Sequence, residues 1–224
     1  MPSSRAPCER CSHPCERADR VAMDMAHGSR DSFRAALTEG SSQLAARLCY
    51  CERVLDGFDR LRADDRCSPP ELTMGQVLTL STLRDVLVDQ AASVPVRDQP
   101  ILLVPLPGDP AYLSAELVRR FVESAGFPVA YRVLDTALAV GHELKRGGYA
   151  ALVIAGSGGV TDAARRDRLK AVCRVAKSTC GIGLPTSYYS RGDTPFDALR
   201  GLDHHCSSAG LLPDYLNSLF HSLH

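Results

Sequence analysis

The chain has 224 residues, 45% of them hydrophobic, with 26 Lys plus Arg balancing 26 Asp plus Glu. That is enough apolar matter for one ordinary domain plus an extension. A zero net charge argues against nonspecific nucleic-acid binding, and no apolar run approaches the length of a membrane span.

Met1–Arg30 is rich in Ser, Pro, Arg and Cys without an apolar period, which predicts a flexible tail. It carries Cys8, Cys11, His13 and Cys15, four soft donors within eight residues. They are candidate ligands for zinc or an iron–sulfur centre, although a structural zinc site usually draws on a second, separated pair. The nine cysteines are odd in number and irregularly spaced. With a polar start in place of an export signal, they read as reduced thiols of a cytoplasmic protein.

Residues 31–94 read as a helical segment. Leu44, Leu48, Cys51, Leu55 and Phe58 step by four and three, so one helix is expected over Ser32–Leu61. Thr73-x-x-Gln76 reads as a capping box opening a second helix from about Met74 to Ala92. Such a pair needs a surface to bury against: each other, a second copy in a homodimer, or the domain that follows.

Residues 95–224 alternate strand and helix. Ile101–Val104 and Ala150–Ala155 are apolar runs suited to strands buried on both faces. Val129–Leu134, Gly181–Ser187 and His204–Ser207 supply three further strands. Helices follow the strands, the last over Leu211–Leu223, with shorter ones including Pro195–Leu202. Asp109 is expected to cap the first helix with Pro110 at its first position. Thr161 is expected to cap a long helix ending near Thr179, whose Arg165, Arg166, Arg168 and Lys170 read as a solvated face. Five strands with short turns predict a doubly wound α/β domain, flavodoxin-like, with a parallel sheet in the order 2-1-3-4-5. Ligands of such sheets sit beyond the carboxyl ends of the strands, which points to the loops Gly108–Ser114 and Gly156–Val160.

These loops carry a resemblance. Asp109-Pro110-Ala111-Tyr112-Leu113-Ser114 and Gly156-Ser157-Gly158-Gly159 resemble the Asp-x-His-x-x-Gly loop and the Ser/Gly turn of the cobalamin-binding domain family. Asp109 stands at the family's Asp, Ala111 at its axial histidine and Ser114 at its glycine. Thr186-Ser187-Tyr188-Tyr189 stands where the family has a glycine pair. The closest branch in style is a group of regulatory antirepressors, some of which bind heme.

The resemblance implies a non-enzymatic sensor that binds a tetrapyrrole, heme or cobalamin, under a helical cap. Its output would be contact with a regulatory protein such as a transcription factor. The alternatives are a corrinoid carrier for a methyltransferase and an interaction module with no ligand. Because Ala111 cannot ligate cobalt, a corrinoid here needs another donor or sits base-on. Candidate cofactor-binding residues are Asp109, Tyr112, Ser114, Gly156, Ser157, Gly158, Gly159, Ser187 and Cys206. His142 is a candidate iron ligand, or a boundary histidine on the second helix of the sheet domain.

Overall fold

The computed structural model describes residues 15–39, 44–87, 98–157, 163–191 and 199–221. The chain divides into two compact units, Met1–Ala92 and Ser93–His224.

Among its described residues the first unit holds four helices: α1 (Cys15–Ala26), α2 (Asp31–Glu39), α3 (Leu44–Ala63) and α4 (Pro69–Leu87). Helix α1 corrects the expectation of a flexible tail through Arg30. Ala18, Val21, Ala22, Met25 and Ala26 are buried along one face, spaced as a helical stripe built mostly of small residues. The stripe packs on α3 and α4. A Cβ placed on Gly57 of α3 would lie 2.8 Å from Ala22 Cβ, so small side chains let α1 and α3 approach closely.

The single helix expected over Ser32–Leu61 is two, α2 and α3. Gly40-Ser41-Ser42 falls between them in sequence, and Gly and Ser are poor helix-interior residues. Helix α3 is buried well beyond one stripe: Leu48, Cys49, Tyr50, Cys51, Val54 and Leu55 are all inside. Burial pushes the Cys51 thiol far up, which keeps it protonated. The capping box of α4 is Ser68-x-x-Glu71, five residues earlier than expected. Ser68 donates its N–H (2.7 Å) and its hydroxyl (2.6 Å) to the Glu71 carboxylate, with Pro69 at the first helical position. Thr73 lies inside the helix, its hydroxyl donating to the Pro69 carbonyl at 2.9 Å.

The second unit contains a five-stranded parallel sheet in the order β2-β1-β3-β4-β5. Its strands are β1 (Ile101–Pro105), β2 (Val129–Tyr131), β3 (Ala151–Ala155), β4 (Thr186–Tyr189) and β5 (His204–Cys206). Its helices are α5 (Tyr112–Ser124), α6 (Ala137–Lys145), α7 (Ala163–Cys180) and α8 (Leu212–His221). The order is the expected one, and β1 and β3 are buried at every residue.

Leu102, Val104, Leu152 and Ile154 join Val140 and Leu144 of α6 and Leu169, Val172 and Cys173 of α7 in one core. Ile101, Leu103 and Val153 alternate to the opposite face, and Leu117, Val118, Phe121 and Val122 are the buried residues of α5. Each fully buried large aliphatic side chain contributes about 1.5–3 kcal/mol. The stretch expected as the start of the fourth strand is a 3₁₀ turn at Gly181–Gly183, and β4 begins only after Pro185. Thr161 and residues 195–198 lie outside the described residues; the rest of the helix expected over Pro195–Leu202 is a turn, with Leu202 N–H donating to the Leu199 carbonyl at 3.0 Å.

Candidate functional site

The register fixes which loops meet. Leu106 N–H continues the β1 ladder to the Ala155 carbonyl at 2.8 Å, and Gly156 N–H reaches the Tyr189 carbonyl at 2.8 Å. The segments leaving β1, β3 and β4 therefore emerge side by side at the carboxyl edge.

Asp109 is the centre of this edge. It is not a helix cap: α5 begins at Tyr112, the cap residue is Ala111, and no side chain caps it. The Asp109 carboxylate, with none of its side chain exposed, turns across the sheet instead. Its Oδ1 accepts from the Ser157 hydroxyl at 2.5 Å, and its Oδ2 accepts from the Ser157 N–H at 3.3 Å. Arg165 Nε of α7 lies 3.0 Å from Oδ2. Arg165 Nη2 also donates to Ser157 Oγ at 3.2 Å, and Arg191 Nη2 donates to the Ser157 carbonyl at 2.8 Å. The loops after β1 and β3 are thus clasped by Asp109 and Ser157. Two arginines that the sequence reading left out of the site hold the clasp.

Tyr188 shapes the same edge from within. A Cβ built on Gly156 would lie 2.1 Å from the Tyr188 hydroxyl oxygen. The space above Gly156, a candidate cofactor-binding residue, is filled by this tyrosine. Burial pushes the Tyr188 phenol up, the nearby Asp109 charge adds to the shift and Arg165 opposes it, so the hydroxyl keeps its proton. Its ring stacks on His205 at a centroid distance of 5.8 Å, and His205 Nε2 lies 2.9 Å from Ser190 Oγ. Burial lowers the pKa of both His204 and His205, and for His205 the neighbouring His204 adds to the effect.

The other expected residues fall as follows. Tyr112 heads α5 with half its surface exposed, 52%, as an aromatic face at the edge. Ser114 is buried in α5. Ser187 is inside β4, paired with Val153 and His204 in the ladders, and is not in a turn at the edge; the residues that do leave β4 are Ser190 and Arg191. Cys206 ends β5, buried, with its carbonyl accepting from Ser190 N–H at 3.1 Å. His142 is exposed on α6. Gly158 and Gly159 lie outside the described residues, as do Cys8, Cys11 and His13, and Cys15 is placed only as the first residue of α1. Among the described residues no group of three His, Cys, Asp or Glu could hold a metal. No described helix is long and apolar enough to cross a membrane.

The edge does not fit a histidine-ligated corrinoid. Ala111, at the position of the axial histidine, is 1% exposed and carries no donor. Asp109, which would orient such a histidine, has both carboxylate oxygens engaged. The edge retains a clasped loop pair and an exposed aromatic face.

No family model matches the sequence, and no curated protein matches it. Solved structures do match. The monomethylamine corrinoid protein of Methanosarcina barkeri is 14% identical with a TM-score of 0.68, over 91% of this chain and 96% of that one. A cobalamin-binding protein from Desulfitobacterium hafniense DCB-2 is 11% identical with a TM-score of 0.45, over 93% and 98%. The methanol:cobalamin methyltransferase complex of Methanosarcina barkeri is 14% identical with a TM-score of 0.47, over 92% and 79%. The first match defines the class of fold: a flavodoxin-like α/β protein of the cobalamin-binding-domain type. On this fold the chain carries Ala111 in the loop after β1 and an arginine-held Asp109–Ser157 clasp at the carboxyl edge.

Proposed function

We propose that this chain is a non-enzymatic corrinoid-binding protein that presents its ligand to a partner protein, as a carrier in a methyl-transfer system does. The observation that carries this reading is the clasp between the loops of β1 and β3, built at the carboxyl edge where open α/β sheets take their ligands. The likeness in fold to a corrinoid protein over nearly the full length of both chains supports it. The expectations of heme and of a transcription-factor partner gain no such support.

The protein's own residues would hold the corrinoid by its periphery. Tyr112 offers a flat apolar face, and Asp109 keeps the Ser157 loop in place. The β1 loop offers no imidazole to a bound metal, since Ala111 carries no donor. A bound corrinoid would supply the cobalt chemistry.

The test is a titration of the purified protein with hydroxocobalamin, followed by absorption and by co-elution on gel filtration. Uptake at micromolar concentrations without the spectrum of a histidine-ligated corrinoid is the expected result. No uptake at high micromolar concentrations, under both oxidising and reducing conditions, overturns the reading.

A further inference from the structure

Arg168 has no part in the clasp, yet it sits beside it. Arg165 and Arg168 are three residues apart on α7 and share a face of the helix. Both reach the same two-residue segment. Arg165 Nε pairs with Asp109, and Arg168 Nη1 lies 3.1 Å from the place where a Cβ on Gly108 would be. Gly108 has a φ of +73°, and the lack of a side chain there leaves room for the guanidinium.

Both arginines have a buried Nε that makes no hydrogen bond among the described residues, and they differ in that the Arg165 guanidinium lies beside a carboxylate. Arg165 has the Asp109 carboxylate. Arg168 Nε is out of contact with solvent and has no hydrogen-bond partner among the described residues. The contacts of the neighbouring Asp109 carboxylate go to Ser157 and Arg165. Asp167, next in sequence, pairs with Lys170 at 3.6 Å. A buried donor on a charged group is costly to leave without an acceptor, and a guanidinium fork is matched by two oxygens of one anion.

We propose that Arg168, seated over Gly108 beside the Arg165–Asp109 pair, is an oxyanion-binding site that takes a phosphate group. The site goes beyond the corrinoid reading and does not need it. The positive end of the α7 dipole favours an anion in the first turns of that helix. Two sources carry this chemistry: a free phosphate monoester, and the phosphodiester in the nucleotide loop of a complete corrinoid.

The experiment titrates inorganic phosphate into the ligand-free full chain at constant ionic strength set with chloride. Binding is followed by thermal midpoint and by the ³¹P linewidth. Phosphate should stabilise the parent and broaden its own resonance. Arg168→Gln should weaken binding roughly tenfold or more, the loss expected for one charge-assisted contact. Arg168→Lys, which keeps the charge and loses the fork, should fall between the two. The proposal is overturned if phosphate neither stabilises nor is broadened by the parent, or if both variants respond as the parent does. Because the phosphate arm contains no corrinoid, its failure is separate from failure of the proposed function. Displacement of phosphate by cobalamin but not by cobinamide, which lacks the nucleotide loop, assigns the site to the corrinoid. Displacement by neither assigns it to a free phosphate monoester.

Discussion

Asp109→Ala is the sharpest perturbation of the carboxyl edge. It deletes the acceptor for the Ser157 hydroxyl at 2.5 Å and for the Ser157 N–H at 3.3 Å, and the partner of Arg165 Nε at 3.0 Å. The Asp109 side chain is fully buried and that of Arg165 is only 20% exposed, so solvent cannot replace these contacts freely. Removing one partner of a buried ion pair costs about 3–5 kcal/mol, much of it from the charge left behind. A variant that also carries Arg165→Met removes that orphan charge and should lie closer to the parent than Asp109→Ala does. Urea unfolding of the parent, both single variants and the double variant completes the cycle. Two results refute the reasoning: a cost below about 1 kcal/mol for Asp109→Ala, or strict additivity of the two substitutions.

Two further outcomes follow from packing and charge. Gly156→Ala should destabilise by about 1–3 kcal/mol through overpacking against Tyr188. Adding Tyr188→Phe should recover part of the loss in the same urea assay, since it removes the oxygen that sits 2.1 Å from the new Cβ. Glu143 accepts from the Tyr149 hydroxyl at 2.5 Å and pairs with Arg132 and Arg146. The Tyr149 hydrogen bond leads in holding its carboxyl below the usual range, with the two arginines adding to it against the effect of burial. A folded-state pKa lowered in this way gives stability that is present above the unfolded carboxylate value, about 4.3, and is lost as pH falls through the folded value. Glu143→Gln should therefore flatten the acid limb of the stability profile below about pH 4.5; an unchanged limb would remove Glu143 from the account.

Strand order was legible because β1 and β3 are continuous apolar runs and the connections are short. Long-range polar contacts were not. An Asp-Pro pair after a strand has the local form of a helix cap, and only the fold brings Ser157 and Arg165 within reach of Asp109. Likewise Arg165 and Arg168 have the spacing of a solvated helix face. What makes them a site is the loop opposite, which helix periodicity does not encode. Helix α1 was hidden by its composition: three of its five buried stripe residues are alanine, which gives little contrast with the charged residues between them. The spacing of Ala18, Val21, Ala22, Met25 and Ala26 was the signal that could have found it.

Ala111 decides whether this edge is one substitution away from a cobalt-ligating site. A histidine two residues after Asp109 has the spacing at which a carboxylate can orient an imidazole. The structure opposes it on two counts. Ala111 is buried, with its carbonyl accepting from Ala115 N–H at 2.8 Å and its N–H donating to the Asp109 carbonyl at 2.7 Å. A larger side chain there must displace its neighbours, at a cost of about 1–3 kcal/mol. The carboxylate that would fix the imidazole tautomer is also committed to Ser157 and Arg165. Ala111→His alone should therefore lose stability and leave the spectrum of added hydroxocobalamin unchanged. Combining it with Arg165→Met frees one side of Oδ2 and should allow the imidazole to be oriented, with a shift toward the histidine-ligated spectrum. A full shift in the single variant would show that Asp109 exchanges partners at little cost. The clasp would then be a resting arrangement that ligand binding opens, and the Asp109→Ala destabilisation should shrink in the presence of corrinoid.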